Sequence, residues 1–191
     1  MTETSFIHQC YGIHGYCLAF GHFRQQQTAH VAAILLSRPQ LLPFCQAWDA
    51  QLEISGLSSF NPKEHAELYP ATYAALRGLI NGNNYSAAFC LSTEIPTPIA
   101  TAAAFANLSI DIANLANQWI SSNDPGQDNL AYCFEAGIPG HDEIHYFFTN
   151  NVRCPTLRIH SWCIPETDNR NPPLQAANLL AWNMANIGFT R

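Results

Sequence analysis

The chain has one lysine, Lys63, and its seven arginines (Arg24, Arg38, Arg77, Arg153, Arg158, Arg170, Arg191) are scattered singly. Non-specific attraction to nucleic acid rests on clustered Lys and Arg. With eight bases against 14 acids and a net charge of −6, nucleic-acid binding is not favoured. Charge of any kind is scarce: 12% of the 191 residues, about half the usual share. The surface must lean on Asn, Gln, Ser and Thr, and an exposed apolar patch becomes an expectation, with a homo-oligomer or a protein partner to cover it. No apolar run approaches the roughly 18 residues of a membrane span. The start, Met-Thr-Glu-Thr-Ser-Phe-Ile-His, lacks the basic residues and apolar run of a signal peptide, so a cytoplasmic location is expected. Seven cysteines make an odd set, which speaks against a complete disulfide framework and for buried, reduced thiols.

Several catalytic signatures are missing as well. The chain contains no Gly-x-Ser-x-Gly elbow, no papain-like cysteine signature, no Walker sequence and no Gly-x-Gly-x-x-Gly. No Asp or Glu occurs between Glu3 and Asp49.

What is present suits one domain over residues 1–191, since 48% of the residues are hydrophobic and can build a sizeable core. Residues 5–36 carry aromatic and β-branched residues with glycine punctuation, which predicts two or three strands, the clearest being Thr28–Leu36. Pro39, with Ser37 nearby, opens a helix whose Leu42, Cys45, Trp48 and Leu52 recur at helical spacing until Gly56. A second helix over Pro62 to Ile80 tolerates Pro70 only as a kink or a break. Asn81–Asn84 predicts a turn and Tyr85–Ser92 a buried strand. Beyond Pro96 and Pro98, the positions Phe105, Leu108, Ile112, Leu115 and Trp119 predict one apolar helix face. A loop at Asn123–Asp128, a strand at Leu130–Glu135, a short helix at His141–Phe148 and a strand at Thr156–Ile164 follow. A polar loop, Glu166–Pro172, then leads to a last helix from Leu174 to about Ile187. Strands first, then helices alternating with single strands, predict an α/β fold: a mixed sheet of about five to six strands flanked by helices.

The last helix, Leu174-Gln175-Ala176-Ala177-Asn178, resembles the closing helix of domain-of-unknown-function family 3800, whose fold is RNase H-like (RuvC-like). Val31–Leu36 with the Pro39 helix, Phe60–Leu68 with Glu64-His65, and Cys133-Phe134-Glu135-Ala136-Gly137 look similar to other family stretches in the same order. The likeness spans about residues 28–188, and only the last motif is specific. It implies an RNase H-like sheet with a carboxylate site for Mg²⁺ or Mn²⁺. Nucleases of this fold hold two divalent metals about 3.5–4 Å apart on converging carboxylates. The family pattern has one acid on the first strand, one on a middle strand and an aspartate in the last helix. Here Glu135 stands at the middle position, Asn178 replaces the aspartate, and the first strand has no acid in any register. The resemblance therefore implies a degenerate member that lacks two-metal hydrolysis and needs no cofactor.

Alternatives stay open. A working nuclease or phosphodiesterase would have rebuilt its site from Glu135, Glu64, His65 and Asp111, and would use Mg²⁺ or Mn²⁺. In the plainer reading, Glu135 and Asn178 are ordinary polar residues, Gln175 caps or cross-links the loop at Pro172-Pro173, and Glu64-His65 is a solvated first helical turn. A third reading is structural zinc. His14-Gly-Tyr-Cys17 and His160-Ser-Trp-Cys163 share a spacing, with His8, Cys10 and Cys154 near them in sequence. Residues three apart on a strand face opposite sides, which counts against it. His141 and His145 sit four apart on one helix face, but His-Asp-Glu-Ile-His lacks the zincin order.

Overall fold

The computed structural model describes residues 15–82, 84–97, 100–127, 130–135, 138–150, 162–164 and 171–186. Strands β1 (Tyr16–Gln25) and β2 (Thr28–Ser37) pair antiparallel along their whole length, from Tyr16↔Ser37 to Gln25↔Thr28. The connection is two residues long, with Gln26 at φ 51° and its carbonyl accepting from Arg24 Nε at 3.1 Å. From β2 the chain passes through α1 (Arg38–Ile54), the single turn α2 (Pro62–His65) and α3 (Pro70–Asn81) into β3 (Ala87–Glu94), which returns antiparallel to β2. Helix α4 (Thr101–Asn123) then crosses to β4 (Leu130–Glu135), which lies parallel to β1. Helix α5 (His141–Asn150) precedes the short β5 (Trp162–Ile164), parallel to β4, and α6 (Pro172–Asn186) ends the described chain. The sheet is mixed, in the order β3-β2-β1-β4-β5, and the fold is α/β.

Alternation along the strands builds two cores. Cys17, Ala19, Ala32, Ile34, Leu36 and Cys133 face α1, α3 and α6. Tyr16, Leu18, Phe20, Val31, Leu35, Tyr132 and Phe134 face α4. Among the described residues no helix is long and apolar enough to cross a membrane.

The sequence-based expectations meet the structure unevenly. Ser37 is the N-cap of α1, and its N–H donates to Gln40 Oε1 at 3.0 Å, half of a capping box. Pro70 breaks the helix and starts α3, where its missing N–H costs nothing. Several details differ. The strand expected at Tyr85–Ser92 runs Ala87–Glu94 and is half-buried at most, because it is the sheet's edge. Asn81, expected in a turn, is the last residue of α3. Leu41 and Phe44 carry the α1 core face, leaving Leu42 half-buried. Leu115 turns outward at 40% exposure while Ala116 is buried in its place. The predicted strand at Thr156–Ile164 falls within the described residues only at its last three positions.

Candidate functional site

The residues from Leu174 to Asn178 in α6 divide packing and positioning between them. Leu174 enters the core, and Ala176 and Ala177 are fully buried with only a methyl to accommodate. Their small side chains let the helix backbone lie directly on β1 at Gly21. A Cβ placed there would stand 2.1 Å from the Ala177 carbonyl carbon and 2.2 Å from the Asn178 nitrogen. That approach brings Asn178 to the end of β4. Its Oδ1 accepts from the His22 backbone N–H at 3.1 Å, and its Nδ2 donates to Glu135 Oε2 at 3.1 Å. Glu135, the last residue of β4, is half-buried. The two residues singled out by the family resemblance therefore meet.

They sit in a cleft of about 210 Å³, walled by Phe23, Phe60, Lys63, Asn171 and Gln175 among others. One carboxylate faces it. Below, the His22 ring packs among Phe20, Phe105 and Phe134, with Nε2 3.1 Å from Ser109 Oγ. Burial pushes this imidazole down to about 3, so it is neutral at ordinary pH. Its Nδ1 meets no hydrogen-bond partner among the described residues.

The first turn of α6 offers no seat for a phosphate. Pro172 and Pro173 have no N–H, Leu174 N donates to Asn171 Oδ1 at 3.2 Å, and Gln175 N donates to Asn171 O at 3.0 Å. The donors that make a helix N-terminus an anion site are removed or satisfied.

The other candidates lie elsewhere. Glu64 is exposed, and its carboxylate accepts from Asn61 Nδ2 at 2.9 Å beside the α2 cap. His65 Nδ1 accepts from Asn61 N at 3.1 Å, its ring between Phe60 and Tyr69. Neither lines the cleft, where α2 contributes Pro62 and Lys63 instead. Asp111 is exposed on α4, across the sheet from α6, and cannot join Glu135. Asn171 caps the first turn of α6, and Gln175 Oε1 accepts from Trp48 Nε1 at 3.1 Å and Phe60 N at 2.7 Å.

A two-metal centre does not fit these residues. Mg²⁺ and Mn²⁺ require several charged oxygens. The cleft has Glu135 alone, and the β1 position under Asn178 is closed by the helix backbone. Among the described residues no three His, Cys, Asp or Glu side chains converge as metal ligands. Of the zinc candidates, Cys17 is buried in the core facing α6, while His8, Cys10, His14, Cys154 and His160 lie outside the described residues. His141 Nδ1 stands 3.5 Å from Asp142 Oδ1, and the His145 side chain lies outside the described part.

Gly21 is one residue of this site that sequence reasoning did not single out. A lone glycine inside an apolar strand signals a close backbone approach, and that signal was present in Leu18-Ala19-Phe20-Gly21.

No family model and no curated protein matches the chain. Among solved structures it is similar to a chain of the PCNA:RNase HII complex from Archaeoglobus fulgidus, at 9% identity and a TM-score of 0.41, covering 90% of this chain and 78% of that one. A likeness that low says nothing about the cleft.

Proposed function

We propose that this chain is a degenerate RNase H-like domain related to family 3800, acting as a binding or assembly module and not as a two-metal nuclease. The mixed sheet with helices on both faces is what such a fold calls for. The observation that carries the loss of hydrolysis is the closure at Gly21. At Gly21, the β1 position beneath Asn178, the α6 backbone leaves no room for a side chain, and Phe23, the next β1 residue on that face, lines the cleft without a carboxylate. The net charge of −6 and the satisfied first turn of α6 both weigh against a phosphate-bearing substrate.

Calorimetric titration with Mn²⁺ tests this reading. The wild-type protein is expected to show no binding tighter than about 1 mM, since one carboxylate is too little charge for a tight site. Asn178→Asp sets a second carboxylate about 3 Å from Glu135, and like charges that close cannot both ionise freely. Without metal, the variant is expected to lose about 2 kcal/mol at neutral pH. With Mn²⁺ the variant gains affinity at least tenfold over wild type. Tight wild-type Mn²⁺ binding that Glu135→Gln abolishes would overturn the proposal and revive a working metal site.

A further inference from the structure

Strand β3 forms one edge of the sheet, and among the described residues nothing hydrogen-bonds to its outer side. Edges of this kind are ordinarily guarded by lysine, proline, a bulge or a short length. Here Ser86 N donates to Leu35 O at 2.8 Å, a bulge at the strand's start, but from Leu35↔Ala87 to Thr28↔Glu94 the ladder to β2 runs unbroken, and residues 87–93 (Ala-Ala-Phe-Cys-Leu-Ser-Thr) carry no charge and no proline. Ala87–Leu91 stay only half-buried while β2 beside them is almost wholly buried, so their exposure is lateral.

The hydrogen-bond phase of the edge can be read. Ile95 N donates to Gln27 O at 2.6 Å, which makes that opposing pair a hydrogen-bonded one. Alternation along the ladder then turns Ala87, Phe89, Leu91 and Thr93 toward β2, and points the backbone groups of Ala88, Cys90, Ser92 and Glu94 outward. A row of outward N–H and C=O groups spaced two residues apart is satisfied by another strand.

We infer that this edge pairs with the same edge of a second copy of the chain, antiparallel about a two-fold axis through Leu91. A two-fold pairing requires one residue to oppose itself. With Leu91 at the centre, all four outward-facing residues find partners: Cys90 with Ser92 of the second copy, and Ala88 with Glu94 of the second copy. Glu94, the strand's one charged residue, falls opposite an alanine, so no like charges meet. Leu91 then packs on Leu91 in a non-hydrogen-bonded pair, on the face that α4 covers. The inference goes beyond the preceding reading and concerns the edge away from the cleft, so it stands or falls independently of Mn²⁺ binding.

Light scattering on the eluting full-length protein at about 50 µM, a concentration suited to an interface at the small end of the specific range, gives the first test. The wild type is expected at twice the 21.2 kDa of the chain. Ser92→Pro removes an outward donor and leaves the β2 ladder intact, and proline is tolerated at such an edge position. It is expected at the single-chain mass with an unchanged circular dichroism spectrum. Leu91→Cys places two thiols about 4.5 Å apart at Cα across the axis. Under mild oxidation it is expected to form a disulfide-linked dimer well beyond the wild-type background. A monomeric wild type, a dimer indifferent to Ser92→Pro, or a Leu91→Cys variant that cross-links no more than wild type would each overturn the inference.

Discussion

Gly21→Ala is expected to leave no stably folded protein. The added methyl would meet backbone, not a side chain: the Ala177 carbonyl carbon at 2.1 Å, the Asn178 nitrogen at 2.2 Å and the Ala177 oxygen at 2.3 Å. No rotamer change can relieve such a clash, so β1 and α6 must separate. That separation uncouples fully buried Ala176, Ala177 and Leu179 from the sheet and breaks the His22–Asn178 bond. Overpacking alone costs about 1–3 kcal/mol where side chains can yield, and more where they cannot. A loss of ~5 kcal/mol or more equals the whole stability of a domain at the low end of the usual 5–15 kcal/mol. Gly78→Ala is the matching control. Nothing lies within 4 Å of its Cβ position on α3, and it should gain about 0.5–1 kcal/mol from helix propensity. Thermal denaturation of both variants decides the matter, and a Gly21→Ala protein melting near wild type would remove the steric argument for a closed site.

That contact also gives the residues around Asn178 a role in packing. Leu174 fills the core, Gln175 ties two distant segments, and Ala176-Ala177 let the helix approach Gly21. These are packing duties, independent of whether the next residue carries a charge. Asn178 accepts from the His22 N–H through Oδ1 while its amide nitrogen donates to Glu135, so the amide and the carboxylate meet as donor and acceptor.

Much of the architecture was legible because it was locally encoded. Thr28–Leu36 is apolar and β-branched between polar flanks, and Leu130–Glu135 is bounded by turns, so both strands are found where expected. The apolar period of α4 was readable too, apart from Leu115, since a helix on an open sheet face leaves one flank to solvent. What could not be read was order in space. Nothing in Ala87–Glu94 says that it lies at an edge, because a buried strand and an unguarded edge share the same apolar composition. Glu64 and Asp111 were alternatives beside the family-matched Glu135, and it is the sheet's two faces that separate Asp111 from Glu135. The pairing of Glu135 with Asn178 rested on family resemblance, since 43 residues of sequence separate them.

The second large effect is expected at Gln175, a polar side chain with 4% exposure at the meeting of α1, α6 and the segment before α2. Its Oε1 accepts from two donors that have nowhere else to turn: the Trp48 indole N–H, on a fully buried ring, and the Phe60 backbone N–H on a 2%-exposed residue. Gln175→Leu preserves much of the volume and leaves both donors buried without an acceptor, each worth about 1–3 kcal/mol. The expected cost is therefore about 3–5 kcal/mol, far above the roughly 1 kcal/mol of a neutral hydrogen bond in solvent-exposed surroundings. A double-mutant cycle with Trp48→Phe separates this from simple loss of packing. In a Trp48→Phe background one of the two donors is already gone, so Gln175→Leu should cost about 1–2 kcal/mol less there than in wild type. Urea denaturation of the four proteins measures that coupling, and strictly additive losses would mean that the Trp48–Gln175 bond does not hold α1 against α6. If the coupling appears, the cleft has a rigid wall. Phe60 and Lys63, which border it, are then fixed to the same helix that carries Asn178, so the cleft is preorganised by its own packing.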